Sequence, residues 1–309
     1  MPVNCYNLFT WREKMKYLSS AETAKKWNIS ERTVRNYCAQ GKISGAFITG
    51  KTWNIPEDAL RPEKNSKAVF RSLTSILRYE KQNSIKGGIY HKIQVEMTYN
   101  SNHIEGSVLS VDQTRYIYET NTIGTDEGSV NVDDIIETAN HFRCIDMIID
   151  NANRQLSENF IKELHKTLKS SASDSRKSWF NVGEYKKLPN EVGGLATTPP
   201  EEVSSAIKTL LKDYNRKPDK TLEDLLEFHW AFERIHPFQD GNGRVGRLIL
   251  FKECLKYNIV PFIIDERHKL YYYRGLAKWK EEHGWLLDTC LSAQDEFKKV
   301  LDYFQIPYI

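Results

Sequence analysis

The sequence predicts a mainly α protein whose helical body is preceded by a small unit of two short helices and a β-hairpin. Three observations lead there. Apolar residues recur at helical spacing through Leu222, Leu225, Leu226, His229, Phe232 and Ile235, and again through Leu248, Phe251, Cys254 and Leu255. Between these runs, Pro237 stops one helix and Asp240-Gly241-Asn242-Gly243 demands a tight loop, so the arrangement is helix, glycine loop, helix, the second resuming at about Arg244. At the front, Ser19 and Ser30 stand where two short helices need caps, and a β-favouring stretch with a glycine turn follows.

Taken in order, Ser19 and Glu22 form a capping box for a helix carrying Ala21 and Ala24, and Asn28-Ile29 makes the turn. Ser30 caps a second helix that ends before Gly41. Its apolar face is Val34 and Tyr37–Cys38, which leaves Arg32, Thr33, Arg35 and Asn36 outward. Next comes "GAFITGKT", Gly45 to Thr52, which fits the phosphate-loop pattern of a glycine, four residues and Gly-Lys-Thr. That loop needs a helix behind it, whereas Trp53-Asn54-Ile55-Pro56 is β-favouring and closed by proline. The segment reads instead as a hairpin turning at Gly50-Lys51. Polar "RPEKNSK", Arg61 to Lys67, reads as a linker.

In "EMTYNSNHIEGSVLS", Ser101 and Glu105 lie four apart on one helix face and Gly106 suits the position just past the helix end. In "GEYKKLPNEVGGLATTPPEEV", Gly193-Gly194 suits a hairpin turn whose strand edge can pair with an extended segment. The loop after His236 and the positive N-terminal end of the helix behind it make an anion site, to which Arg244 and Arg247 add two cationic forks. Histidine at the entrance suits proton abstraction from a hydroxyl, and Asp240 is a hard oxygen ligand of the kind Mg²⁺ takes together with substrate phosphates. The constellation points to phosphoryl or nucleotidyl transfer.

Composition bounds the setting. The 309 residues are 40% hydrophobic and 28% charged, which suits a soluble chain with more than one packed unit. No apolar run approaches the roughly 18 residues of a membrane span, and Met1 to Lys14 lacks the layout of a secretory signal. Five scattered cysteines without a C-x-x-C pair argue for a reducing cytoplasm and against structural zinc. Residues 1–65 hold 11 Lys/Arg against 6 Asp/Glu, while the remainder holds 33 against 35. A basic front end on a near-neutral body points toward nucleic acid.

Two resemblances sharpen this. The front end is similar to the winged helix-turn-helix of excisionase and MerR-type regulators, which implies DNA contacts from Arg32, Thr33, Arg35, Asn36 and the wing-tip Lys51. "HPFQDGNGRVGR" resembles the Fic family motif HPFxDGNGRxxR at every fixed position. That resemblance implies a Fic-type helical domain with a β-hairpin flap, which binds ATP and transfers AMP to a protein hydroxyl. His236 would be the general base, and Asp240 would hold Mg²⁺. Nucleotide contacts would come from Asp240 through Arg247 (Gly241, Asn242, Gly243, Arg244, Val245 and Gly246 included), with the two arginines at the β/γ end. Doc-type relatives, which phosphorylate, tend to carry lysine at the Gly243 position, so glycine favours adenylylation.

The other resemblances are local. "LSENFIKELHKTL", Leu156 to Leu168, is similar to the helix opening the Fic core. Asn190, Glu191, Val192 and Gly193 would form the target-docking flap. "YYYRGL" resembles the family's Tyr-Tyr-x-x-Leu, which implies adenosine contacts from Tyr272 and Tyr273, and Lys280 stands where some relatives place asparagine. Ser101, Glu105 and Gly106 match the autoinhibitory Ser/Thr-x-x-x-Glu-Gly/Asn, with Glu105 reaching Arg247. The expected layout is a winged helix-turn-helix over 1–62, a linker over 63–67, a helical region with the inhibitory motif over 68–126, and a Fic domain with C-terminal helices over 127–309. Ser292 to Ile309 reads as helix and tail. The expected partners are a target protein or the chain itself, DNA and a second copy in a homodimer. A DNA-binding regulator that senses nucleotide, and an enzyme removing AMP with water activated by Glu105, are the alternatives.

Overall fold

The computed structural model describes residues 16–39, 42–62, 72–124 and 129–308. It divides into two compact units, Met1–Val69 and Phe70–Ile309. The expected 63–67 linker and the expected boundary at 126/127 lie outside the described residues.

In the first unit, α1 (Ser20–Trp27) starts on the Ser19–Glu22 capping box and stops where Asn28 turns left-handed. Ser30 accepts from the Thr33 amide at 3.2 Å and so caps α2 (Glu31–Ala39). The strands β2 (Phe47–Thr49) and β3 (Thr52–Pro56) pair antiparallel, Thr49 opposite Thr52, so Gly50-Lys51 is the two-residue turn. No helix follows "GAFITGKT" before β3 ends, which leaves its amides unable to converge on a phosphate. A third strand that local pattern did not predict, β1 (Tyr17–Ser19), adds to the other side of β3. Val34, Cys38, Ile43 and Ile55 form the core between helices and sheet.

The second unit is helical: α3 (Leu73–Gln82), α4 (Ile89–Ile104), α5 (Val111–Thr120), α6 (Val132–Asp150), α7 (Glu158–Lys169), α8 (Pro200–Arg216), α9 (Leu222–Ile235), α10 (Asn242–Lys256), α11 (Glu266–Lys278) and α12 (Gly284–Tyr303). One two-stranded hairpin, β4 (Glu191–Val192) with β5 (Leu195–Ala196), interrupts it. Gly193 and Gly194 take φ of +58° and +76°, which the tight turn requires and most side chains resist. α10 is the central helix. It packs on α9, α6, α7, α3 and α4 and is buried nearly all round, as a helix without an amphipathic stripe must be. Its polar interruption, Lys252-Glu253, is buried as a pair at 2.6 Å, with Tyr214 donating to Glu253 at 2.8 Å. Val245, Leu248 and Phe251 meet Ile145 and Ile148 of α6, Leu164 of α7 and Phe232 of α9. A second apolar cluster joins α9, α10, α11 and α12 through Leu226, Leu250, Tyr272 and Leu286.

Two boundaries differ from expectation. α10 begins at Asn242 rather than about Arg244, because first-turn amides need no intrahelical acceptor and Gly243 costs little there. The last helix starts at Gly284, well before Ser292, because tertiary packing on α11 and α9 extends it. Among the described residues no helix is long and apolar enough to cross a membrane.

Candidate active site

α9 ends on His236, which sits in the left-handed region at φ 49° with its amide on the Phe232 carbonyl at 2.9 Å. The loop that follows is braced from inside. The Asn242 side chain accepts from the Phe238 amide at 2.8 Å and donates to the Phe238 carbonyl at 2.8 Å. Beneath it, the His165 ring from α7 stacks on Phe238 at 3.9 Å between centroids, nearly parallel at 2°. His165 Nδ1 accepts the Gly183 amide at 2.9 Å, so its proton is assigned to Nε2, which faces the Asp240 carbonyl at 3.1 Å. Burial drives this histidine down to about 3, which keeps the ring neutral and the tautomer fixed. The amides of Asn242, Gly243 and Arg244 open the helix and point at the space above it.

Charge converges on that space. Arg247, almost fully buried, donates from Nη2 to Glu105 at 2.7 Å and to the Ser101 carbonyl at 2.9 Å, and from Nε to the Ser101 hydroxyl at 3.0 Å. Burial opposes the guanidinium's charge, and Glu105 outweighs it, so Arg247 stays firmly protonated. Glu105 is the C-cap of α4 and Gly106 follows at φ +100°. A Cβ on Gly243 would stand 2.4 Å from Glu105 Oε1, so the carboxylate lies directly over this glycine and would have to move aside for any side chain there. Two further bonds hold α4 in register: Thr98 to His141 Nδ1 at 2.9 Å and Asn102 to Thr138 at 3.1 Å.

Arg244 belongs to a second cluster. Its Nη1 pairs with Glu137 of α6, and its Nη2 lies 3.5 Å from Asp240. Lys169 of α7 pairs with Glu137 as well and lies 2.6 Å from Asp240 Oδ2. Burial works against ionisation of Asp240, but Lys169 and Arg244 prevail and hold the carboxyl down at about 2. Both contacts fall on Oδ2 of a carboxylate that is 49% exposed, so the group keeps capacity for a cation. Among the described residues no cluster of three or more His, Cys, Asp or Glu side chains is placed to hold a metal. An ion here would rest on one carboxylate plus substrate phosphates, the usual donor set of Mg²⁺, and Asp240 fits it.

His236 has a buried Nδ1 that, among the described residues, meets no partner at full hydrogen-bond geometry. Burial pushes its pKa down to about 4, Lys186 pushes the same way, and the Glu233 backbone, Glu105 and Asp240 push back. The imidazole is therefore neutral at pH 7, the form that accepts a proton. Glu233, one turn earlier on α9, is lifted by burial to about 8 against the pull of Arg247.

Several expected site residues take other places. Val245 and Gly246 are inside the α10 ladder, Val245 donating to the Gly241 carbonyl at 3.1 Å, so neither offers a free amide. Tyr272 is buried at 1% exposure, with its hydroxyl 2.6 Å from His229 Nε2 and close to Arg247, whereas Tyr273 is 40% exposed. Lys280 is spent on Glu227 at 2.6 Å and over the Trp230 ring. Asn190 turns inward, donating to the Phe238 carbonyl at 3.1 Å, which leaves Glu191, Val192 and Gly193 on the exposed hairpin. In the first unit, Arg32, Arg35, Asn36 and Lys51 are exposed, with Arg35 paired to Glu31 at 2.6 Å and Thr33 on Ser30 at 2.8 Å. Glu137, His165, Lys169 and Lys186 were missed. Only His165 left a trace in the sequence, a polar residue on the apolar face of Ile161, Leu164 and Leu168.

Residues 155–253 match the family model of the Fic/DOC family. The chain is 25% identical over 182 residues to the protein adenylyltransferase Fic of Aedes aegypti, a span covering 58% of this chain and 36% of that one. It is 24% identical over 226 residues to the protein adenylyltransferase Fic of Drosophila mojavensis, covering 71% and 41% respectively. The chain thus spans about two fifths of the length of the curated relatives it matches. Among solved structures it is similar to a Fic domain containing signaling protein from Bacteroides thetaiotaomicron VPI-5482, with TM-score 0.59 at 25% identity over 74% of this chain and 94% of that one. Fic-1 from C. elegans has the same fold, with TM-score 0.60 at 18% identity over 75% of this chain and 71% of that one. These matches support the Fic family for the helical unit.

Proposed function

We propose that the chain is an autoinhibited protein adenylyltransferase, moving AMP from ATP to a Ser, Thr or Tyr hydroxyl of a target protein or of itself. The observation that carries this reading is the open N-terminal end of α10, flanked by a neutral His236, an ionised Asp240 and an Arg247 capped by Glu105. The first-turn amides bind phosphate oxygens and Arg247 takes the γ end once Glu105 withdraws. His236 accepts the hydroxyl proton as that oxygen attacks the α-phosphate in line, and the bond to pyrophosphate breaks. Asp240 is the residue that would hold Mg²⁺, which when bound neutralises charge developing on the phosphates. The exposed strands of the 191–196 hairpin serve as the flap that pairs with an extended target segment.

Incubation of a Glu105→Gly variant with ATP labelled on the α- or the γ-phosphate, followed by mass spectrometry, tests the reading. Label carried only from the α-phosphate, as an AMP adduct on a hydroxyl, is expected. Transfer of the γ-phosphate, or no adduct on the chain or any lysate protein, sinks it.

A second reading concerns the first unit, where α2 presents Arg32 and Asn36 and the β2–β3 turn presents Lys51. It is a DNA-binding module, with α2 in the major groove and Lys51 at backbone phosphate. Gel shift on the DNA upstream of its own coding region, compared with an Arg32→Ala/Lys51→Ala variant, decides it; equal mobility with both proteins excludes it.

A further inference from the structure

Lys186 is buried at 4% exposure, yet among the described residues no carboxylate stands in contact with it. Its ammonium donates to Asn190 Oδ1 at 2.7 Å, to Thr197 Oγ1 at 2.5 Å and to the Ile235 carbonyl at 3.4 Å, which uses all three of its protons. These acceptors are informative in where they sit. Asn190 immediately precedes β4, Thr197 immediately follows β5, and Ile235 is the residue before His236. The two ends of the hairpin are also tied to each other, Thr197 to Asn190, with its hydroxyl 2.5 Å from the side-chain oxygen. Both are tied to the loop: Asn190 donates to the Phe238 carbonyl at 3.1 Å, and the Lys186 amide to the Pro237 carbonyl at 2.9 Å.

An apolar side chain of similar length would fill the same space without the cost of desolvating an ammonium, which is several kcal/mol before its partners compensate. Burial pushes this amine down to about 8, so the cost is real and only the three acceptors offset it. What those acceptors share is the hairpin base and the backbone that carries the histidine.

We propose that Lys186 is a positioning residue that pins both ends of the 191–196 hairpin to the segment bearing His236, holding the acceptor hydroxyl and its base in one frame. This rests on the adenylyltransferase reading for its consequence in transfer, but its structural half stands without it. An ammonium reaching three segments at once ties the target-docking strands and the base to a single anchor. The nucleotide cradle at α10 is built from other residues and is left alone by the loss of this anchor.

The test uses the full chain carrying Glu105→Gly, with Lys186→Met, Asn190→Ala, Thr197→Val and the Lys186→Met/Asn190→Ala double variant added in turn. Three readouts are taken: amide hydrogen exchange over residues 188–197, ATP affinity by calorimetry, and self-labelling at saturating ATP. Lys186→Met is expected to speed exchange of the hairpin amides by about tenfold or more and leave α7 and α10 amides unchanged. ATP affinity should stay within about twofold while labelling falls about tenfold, since positioning acts on chemistry rather than on nucleotide binding. The double variant should be no worse than Lys186→Met, because both lesions cut one network. Thr197→Val, which buries no new charge, should show the same pattern in weaker form. Unchanged hairpin exchange, loss of ATP affinity in parallel with labelling, or additive lesions each overturn the proposal. If no variant labels itself but hairpin exchange responds as expected, the adenylyltransferase reading fails and the anchoring role survives.

Discussion

Replacing Glu105 by glycine removes the acceptor that holds Arg247 at 2.7 Å, and the size of the effect follows from that contact. Hydrogen bonds to charged groups contribute about 1.5–3 kcal/mol. The Arg247 side chain is 7% exposed and that of Glu105 31%, so the pair is screened on one side only and about 1.5–2 kcal/mol is the fair figure. For the γ-phosphate to take Arg247, the parent must first give up that bond, whereas the variant does not. Productive ATP binding should therefore improve by about 10- to 30-fold, at 1.36 kcal/mol per factor of ten. Self-labelling at subsaturating ATP should rise by the same factor. Glu105→Gln, which keeps shape and a neutral hydrogen bond, should give about half the free-energy gain. Stability should move the other way: without nucleotide, glycine strips a buried guanidinium of its carboxylate partner, leaving the Ser101 contacts, and should cost about 1–2 kcal/mol, a fall of a few degrees in Tm. Labelling initial rates over an ATP series and thermal melts without nucleotide measure both. A variant that labels no faster than the parent, with ATP affinity unchanged, refutes the idea that Glu105 competes with phosphate for Arg247.

Other expectations follow from the same geometry. In the Glu105→Gly background, His236→Ala should abolish labelling while ATP still binds, as equilibrium dialysis would show. Lys51→Ala should leave ATP affinity intact, because its turn joins two strands, whereas Arg244→Ala/Arg247→Ala should weaken it by about 100-fold or more; the reverse result would return the nucleotide to "GAFITGKT". With His236 near 4, labelling should stay flat between about pH 6 and 8 and decline as pH falls through about 4, where the imidazole takes its proton and can no longer accept another. A decline already complete at pH 6 would contradict the buried, neutral ring. Glu233, raised to about 8 by burial, contributes stability that is fully present below its unfolded value of about 4.3 and lost as pH rises through 8. Glu233→Gln should accordingly match the parent in urea titrations near pH 4, move progressively ahead of it between about pH 4.3 and 8 as the parent loses stability, and exceed it by about 1–3 kcal/mol at pH 9.

Local rules alone located much of this molecule. The Ser19–Glu22 box, left-handed Asn28, the Gly50-Lys51 and Gly193-Gly194 turns and the break at Pro237 each depend on residues within four positions of one another. The same is true of the glycine loop and of Ser101 and Glu105 sharing a helix face, so sequence spacing was sufficient to place them. Spacing could not show which buried groups would gather around that loop. Glu137 meets Arg244 across 107 positions and Lys169 meets Asp240 across 71, and nothing periodic in the chain marks such pairs. Tyr272 and Tyr273 are neighbours in one motif, but packing on His229 sealed the first and left the second open, a choice made by the opposing helix. α10 is buried nearly all round because α9, α6, α7, α3 and α4 close around it, which overrides the amphipathic stripe that sequence patterning relies on. Chain chemistry thus determined where the reactive side chains lie along the backbone, and tertiary packing decided which charges they face, since desolvation and ion pairing depend on distance in space and not along the chain.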